Sequence, residues 1–341
     1  MARVLVATIV AMVISIVIGP KFIEFLRGRQ IGQQIREEGP QSHRTKAGTP
    51  VMGGVLILIA ASLAFLALSR YSTAALTVFF TTVACGLVGF VDDFIKVRHR
   101  RSLGLSGRWK LALLALITAV VGTLAWDRDL NTEIYLPGLD VSAPLSWAWY
   151  PFLFFLIAGA ANGVNLADGV DGLAAGTGLI AIFTFTVMAV FSYIRSGQEL
   201  IGEPSIAYLD LAILGGALIG ALIGFLWYNA FPAEVFMGDT GAMAIGGALA
   251  GFAIMMKAEA LLLLIGGIFV IEALSVMIQV FTFKYLGRRV FLIAPIHHHF
   301  AMKAWSETKI MVRFWIVTGI LCAAGFALYY SYFFDFFTAR R

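Results

Sequence analysis

The sequence predicts an all-α fold, a polytopic integral membrane protein of about ten transmembrane helices. Three observations predict it. Of 341 residues, 60% are apolar and 13% charged, against roughly 45–50% and about 25% in soluble globular chains, and mean hydropathy is +0.88. The apolar residues gather in runs of about 20, the length that crosses a hydrocarbon core. The 25 Lys and Arg avoid those runs and collect in alternate loops.

In chain order the spans are expected at 3–26, 50–69, 73–91, 110–126, 147–161, 173–194, 206–227, 240–256, 260–283 and 312–334. The first starts like a secretory signal. Its apolar stretch from Val4 to Ile18 nevertheless runs into Gly19-Pro20-Lys21 without a small-x-small cleavage site, so it reads as an uncleaved span. The third ends flush against VDDFIK at 91–96. NGVNLADGVDGLA at 162–174 separates the fifth from the sixth, WYNAFPAEVFMGDTGA at 227–242 leads into the eighth, and APIHHHF at 294–300 lies between the last two. No repeat or long soluble insertion interrupts the series, and residues 1–341 read as one transmembrane domain.

Eighteen of the 25 basic residues fall on one side of this arrangement, in the loops after spans 1, 3 and 9. By the positive-inside rule that side is cytoplasmic, which sets both termini outside and the polar clusters on the cytoplasmic face. Orientation thus accounts for most of the +5 net charge and removes the reason to expect nucleic acid. Cys85 and Cys322 fall within spans and read as small apolar packing residues, with no disulfide framework.

The chemistry concentrates in the clusters at span ends. Asp92 and Asp93 stand one helical turn before Lys96, so a carboxylate and the ammonium can share a face; the plain alternative is a charge pair at the membrane boundary. Asn165, Asp168 and Asp171 recur every three residues and would line one stripe of a helix entering span 6. They could be simple caps, but the interleaved Gly163, Gly169 and Gly172 suggest a pocket that backbone can approach. Asp239 lies between Gly238 and Gly241, in a tight turn whose N–H groups could meet a phosphate. An intramembrane aspartyl protease would want a glycine where Phe236 stands. His297, His298 and His299 suggest zinc, yet neighbours along an extended chain point apart and lack metal-ligand spacing. Imidazoles presented after Pro295 suit phosphate oxygens better.

The combination says more than its members. Carboxylates on one membrane face can hold Mg²⁺, a hard ion completed by substrate phosphates and water. Lys46, Lys96, Arg108, Lys110 and the histidines supply the opposite charge that phosphates need. Such a site suits transfer between a soluble nucleotide and a lipid phosphate. A secondary transporter would set its polar groups near the bilayer midplane; intramembrane acids such as Glu272 would fit that class, but Glu272 is expected to pair inside the bundle or support the site from below, with Gln279 reaching toward the site. A scaffold gives no reason for so many one-sided Asp and His.

TPVMGG, VDDFIK, NLADGVDGLA, FMGDTGA and PIHHHF occur here in that order on ten expected spans. In this the chain resembles the phospho-N-acetylmuramoyl-pentapeptide transferases, within the polyprenyl-phosphate N-acetylhexosamine-1-phosphate transferase superfamily. PIHHHF discriminates best, because relatives using UDP-N-acetylglucosamine, the rival reading, look similar at the aspartates but lack the histidine run.

The resemblance implies a multi-pass enzyme of the bacterial cytoplasmic (inner) membrane, a homodimer, in which undecaprenyl phosphate attacks the β-phosphate of UDP-MurNAc-pentapeptide. UMP is released and lipid I forms, with Mg²⁺ required. It implies catalytic roles for Asp92, Asp93, Asp239 and His298, with Asp239 the metal ligand. Asn165, Asp168, Asp171, Asn229, Phe236 and Gly238 match the nucleoside pocket, Phe236 as platform for uracil. Lys46, Lys96, Arg108, Gln279, His297 and His299 are expected around the diphosphate and the rest of the substrate. Two departures are visible: Val51 stands where the family usually has Thr, and Ala301 where it has Glu. In the expected mechanism Asp92 deprotonates or orients the lipid phosphate and Asp93 supports the metal or Lys96; the alternative is two-step, with an aspartate nucleophile.

Overall fold

The computed structural model describes residues 1–29, 48–99, 101, 103–126, 132–136, 141–199 and 204–338. Lys46, expected near the diphosphate, lies outside them. The helices are α1 (Ala2–Gly28), α2 (Gly54–Leu68), α3 (Thr73–Arg98), α4 (Gly107–Trp126), α5 (Trp149–Ala167), α6 (Leu173–Glu199), α7 (Pro204–Asn229), α8 (Gly238–Met255), α9 (Glu259–Ile265), α10 (Gly267–Leu286), α11 (Ile296–Met302) and α12 (Glu307–Thr338). Among the described residues nine are long and apolar enough to cross a membrane. The expected second span is the 15-residue α2, about 22 Å long at 1.5 Å per residue.

α8 forms the centre: 94% of its span is buried inside the protein, against 28% for α1, α10 and α12. Its sequence explains the position. GDTGAMAIGGALAGFAIM is more than half Gly and Ala, so α3, α5, α6 and α2 pack around it with the close backbone approach that holds membrane helices together. The peripheral helices instead turn large apolar side chains outward, as with Leu5, Val17, Met277, Phe281 and Ile320, to be solvated by lipid.

A short hairpin precedes α5, β1 (Glu133–Leu136) pairing antiparallel with β2 (Val141–Pro144). Three sequence expectations are corrected. The span at 260–283 is broken at Gly266 into α9 and α10. Asn165, Asp168 and Asp171 do not share a helical stripe, because α5 runs on to Ala167 and the chain then turns, with Gly172 at φ +71°, before α6 begins. The histidines are not extended but form α11, so successive rings diverge by a helical step.

Candidate active site

The site forms where the C-terminal end of α3 meets the first turn of α8. Asp92, Asp93 and Asp239 each present an oxygen, all within 4.8 Å of one another. They meet because Gly89 lets the two helices touch: a Cβ there would lie 2.1 Å from the Asp239 carbonyl oxygen. The chain entering α8 needs Gly238, at φ +73°. It is further zipped to the TPVMGG segment, Phe236 N–H donating to Pro50 O (2.8 Å) and Gly53 N–H to Phe236 O (2.8 Å).

The adjacent aspartates have different tasks. Asp93 accepts N–H bonds from Asp239 (3.2 Å) and Thr240 (2.9 Å) and the Thr240 hydroxyl (2.7 Å). It is the anionic cap of α8, satisfying orphan donors at the positive end of that helix. Asp92 accepts the Leu105 N–H at 2.8 Å and pairs with Lys96 at 2.6 Å and Lys110 at 3.3 Å. Asp239 meets the same two ammonium groups, Lys96 at 3.0 Å and Lys110 at 2.8 Å. Counted as ionised, three carboxylates share two cations. Asp239 is the member open to a ligand, its side chain 13% exposed against 3% and 2% for Asp92 and Asp93.

Of the two basic residues expected from α4, Lys110 and not Arg108 meets the carboxylates. The two are two residues apart on α4, on opposite faces; Lys110 reaches the carboxylates and Arg108 is exposed. Thr240 gave no sequence signal beyond following an aspartate at a helix start.

The turn after α5 adds a second wall. Asp168 receives the Gly238 N–H, and its carboxyl is pushed up to about 7, first by burial, then by the charges of Asp239 and Asp93. Asn165 stands half-buried in the last turn of α5, and Phe236 is half-buried beside Gly238. Two other residues expected in the nucleoside pocket are largely spent on framing it. Asn229, nearly buried, accepts Gly172 N–H at 3.1 Å and donates to Val235 O at 2.9 Å. Asp171 accepts Ala233 N–H at 3.0 Å.

α11 closes the wall. His297 is fully buried; a Cβ at Gly169 would sit 2.4 Å from its Nε2 and 3.3 Å from His298 Cε1. His298 is half-buried with its ring centroid 4.1 Å from that of His297. His299 accepts Leu292 N–H through Nδ1 at 3.1 Å, and its pKa is lowered by burial and Lys303. Gln279 does not reach toward phosphate. Its Oε1 accepts the N–H groups of Val290 (3.1 Å) and Phe291 (2.9 Å) and its Nε2 donates to Phe291 O (3.0 Å), so the amide clamps the loop before α11.

Chemically, oxygen-only donors at this spacing fit a hard divalent cation. The two lysines can move from carboxylate to phosphate oxygens as an anionic substrate arrives.

Comparison with known proteins places the sequence among relatives. Residues 75–257 match the family described as Glycosyl transferase family 4, and residues 46–58 match Phospho-N-acetylmuramoyl-pentapeptide-transferase signature 1. The chain is 44% identical over 339 residues to the phospho-N-acetylmuramoyl-pentapeptide-transferase of Rubrobacter xylanophilus, covering 97% of this chain and 98% of that one. It is 47% identical over 326 residues to the Pelobacter propionicus protein of that name (94% and 90% covered). With that of Frankia casuarinae it shares 43% over 354 residues (98% of both).

Proposed function

The chain belongs to the phospho-N-acetylmuramoyl-pentapeptide-transferase family, and from that premise we propose how its aspartates and lysines carry out the family's reaction. The reaction transfers phospho-MurNAc-pentapeptide from UDP-MurNAc-pentapeptide to undecaprenyl phosphate, giving lipid I and UMP. The observation that carries the reading is the meeting of Asp92, Asp93 and Asp239 with Lys96 and Lys110 at the junction of α3 and α8.

Bringing two phosphate-bearing anions together is the main barrier, and positioning with charge neutralisation is the main remedy. Asp239, assisted by Asp92, would hold Mg²⁺; when bound, such an ion neutralises diphosphate charge and orients the phosphoryl group. Lys96 and Lys110 hold the carboxylates together without substrate and turn to phosphate oxygens with it. Asp93 is a poor nucleophile or ligand because its oxygens already accept three donors from Asp239 and Thr240. A phosphate monoester has a second pKa of about 6, so the lipid phosphate is already a competent nucleophile near neutrality. This favours direct in-line displacement, with Asp92 taking or orienting the remaining proton. The basic flanks of the spans favour a cytoplasmic opening in the inner membrane, the side from which a soluble nucleotide arrives.

The test is to incubate purified enzyme with UDP-MurNAc-pentapeptide and Mg²⁺ alone. UMP should appear only when undecaprenyl phosphate is added. One equivalent of UMP per enzyme without acceptor overturns the single displacement, and no UMP under either condition overturns the functional assignment.

A further inference from the structure

Beneath the histidine helix lies a pair that the scheme above leaves unused. Glu272, near the start of α10, and His297, in α11, are both fully buried, with Glu272 Oε1 3.0 Å from His297 Nδ1. A carboxylate at that distance takes an Nδ1–H, which fixes both the tautomer and the plane of the ring and leaves Nε2 as its working edge. Other contacts do not account for Glu272: the nearby Ser275 hydroxyl donates to the Glu272 main-chain carbonyl, not to its carboxylate. An ionisable side chain this deep in a membrane helix needs a partner and a purpose.

Nε2 supplies the purpose. It is buried and, among the described residues, has no hydrogen-bond partner. It also lies against the turn that builds the active site, packed on Gly169, where a Cβ would come within 2.4 Å. Asp168, next to Gly169, is bonded to Gly238, which precedes Asp239. One side of His297 is therefore fixed by α10 and the other faces the seam between the aspartate turn and α11. This is the arrangement in which a carboxylate behind an imidazole sets its orientation toward a ligand in front.

We propose that Glu272 is a positioning residue for the transfer reaction. Through Nδ1 it holds the His297 ring so that Nε2 faces the diphosphate of the bound nucleotide substrate. The proposal rests on the phosphate-handling role assigned to this face above. No bond to Glu272 forms or breaks.

The test is a double-mutant cycle assayed in detergent with both substrates, using wild type, Glu272→Ala, Glu272→Gln, His297→Ala and the Glu272→Ala/His297→Ala double variant. Glu272→Ala and His297→Ala should each lower kcat by about 10–100-fold. Glu272→Gln, which keeps an acceptor for Nδ1–H, should stay within about tenfold of wild type, and the double variant should be no slower than His297→Ala, since the two act as a unit. In ¹⁵N-histidine spectra the His297 resonances should retain the Nδ1–H pattern in Glu272→Gln and lose it in Glu272→Ala, while the fall in kcat tracks that pattern with thermal unfolding unchanged, which a merely structural acid would not give. Additive losses, wild-type kcat in Glu272→Ala, or Glu272→Gln no better than Glu272→Ala would each overturn the proposal. If Glu272→Ala does not fold, Glu272→Gln carries the test alone: its rate and its His297 spectrum must both hold, and loss of either overturns the proposal. An inactive wild type would instead overturn the functional reading itself.

Discussion

The two ends of α3 and α8 handle buried acids in opposite ways. At the end far from the site, Asp210 of α7 is fully buried, and its two oxygens accept the N–H groups of Arg70 (2.9 Å) and Ser72 (2.8 Å), capping the chain as it enters α3. Glu259 pairs with Lys257 at 3.2 Å, and that ammonium also donates to Glu133 O at 2.8 Å and covers the Trp149 ring at 4.8 Å, which ties β1 to the bundle. Each acid there has a partner of its own, Asp210 in two main-chain N–H groups and Glu259 in one ammonium group. At the site end Asp92 and Asp239 share Lys96 and Lys110, with Asp93 beside them. Negative charge is left in excess at one accessible carboxylate. A buried acid with a private partner is architecture; acids that must share are held ready for a cation and a phosphate.

The largest effect expected from this contrast comes from matched amide substitutions. Asp239→Asn should cut kcat by about 10³-fold or more, because a charge stabilising the transition state is lost, with little change in thermal unfolding. Asp210→Asn should do the reverse. Activity should stay within a few-fold of wild type while stability falls by about 1 kcal/mol, the usual worth of a helix cap. Turnover and unfolding temperature measured on both proteins decide it. An inactive but stable Asp210→Asn would break the comparison.

A second pair probes the steric side. Gly89→Ala would drive a methyl to 2.1 Å from the Asp239 carbonyl oxygen, a main-chain atom that cannot yield without displacing the first turn of α8. Overpacking of this kind costs about 1–3 kcal/mol, and here it also shifts the Asp239 carboxylate, so activity should fall about 100-fold, as small misplacements do. Gly251→Ala, at the other end of the same interface, meets Val78 at 3.2 Å and should leave kcat within about twofold, since that site lies far from the chemistry. Equal losses in the two variants would show that helix spacing as a whole, and not its setting at Asp239, controls the rate.

What was legible in the sequence follows from where each signal resides. Apolar runs and one-sided Lys and Arg gave the spans and their ends, because those signals are local. The i, i+4 spacing of Asp92 and Lys96 foretold a 2.6 Å pair for the same reason. The motif resemblance brought Asp92, Asp93 and Asp239 together, which no local pattern could do. The division of labour was hidden. Asp92 and Asp93 are identical neighbours in sequence, and only the position of α8 makes one a cap and the other a member of the charge cluster. Lys110 against Arg108 is a matter of helix phase relative to α3. Gln279 and Asn229 are polar residues near a site in sequence terms; their bonds to Phe291 and Val235 depend on loop paths that composition does not encode. The break at Gly266 was missed because its flanks are apolar on both sides.

The smallest effect concerns the turn beside the site and sharpens the contrast through pH. The Asp168 carboxyl is pushed from its ordinary 3.8 to about 7, first by burial and then by its acidic neighbours. A raised carboxylate pKa means that the folded chain holds a proton that the unfolded chain releases near pH 4. Between those values the folded state binds more protons, so stability should fall as pH rises from about 4 to about 7 and then level off. Asp168→Asn cannot ionise and keeps an oxygen acceptor, so its unfolding temperature should lack that slope. The two proteins should unfold alike near pH 4 and diverge steadily up to about pH 7, above which the variant stays ahead by several degrees, since a displacement of three units is worth about 4 kcal/mol at most. Parallel curves would mean that solvent relieves the crowding of acids at this end, and that the charge excess is confined to Asp92, Asp93 and Asp239.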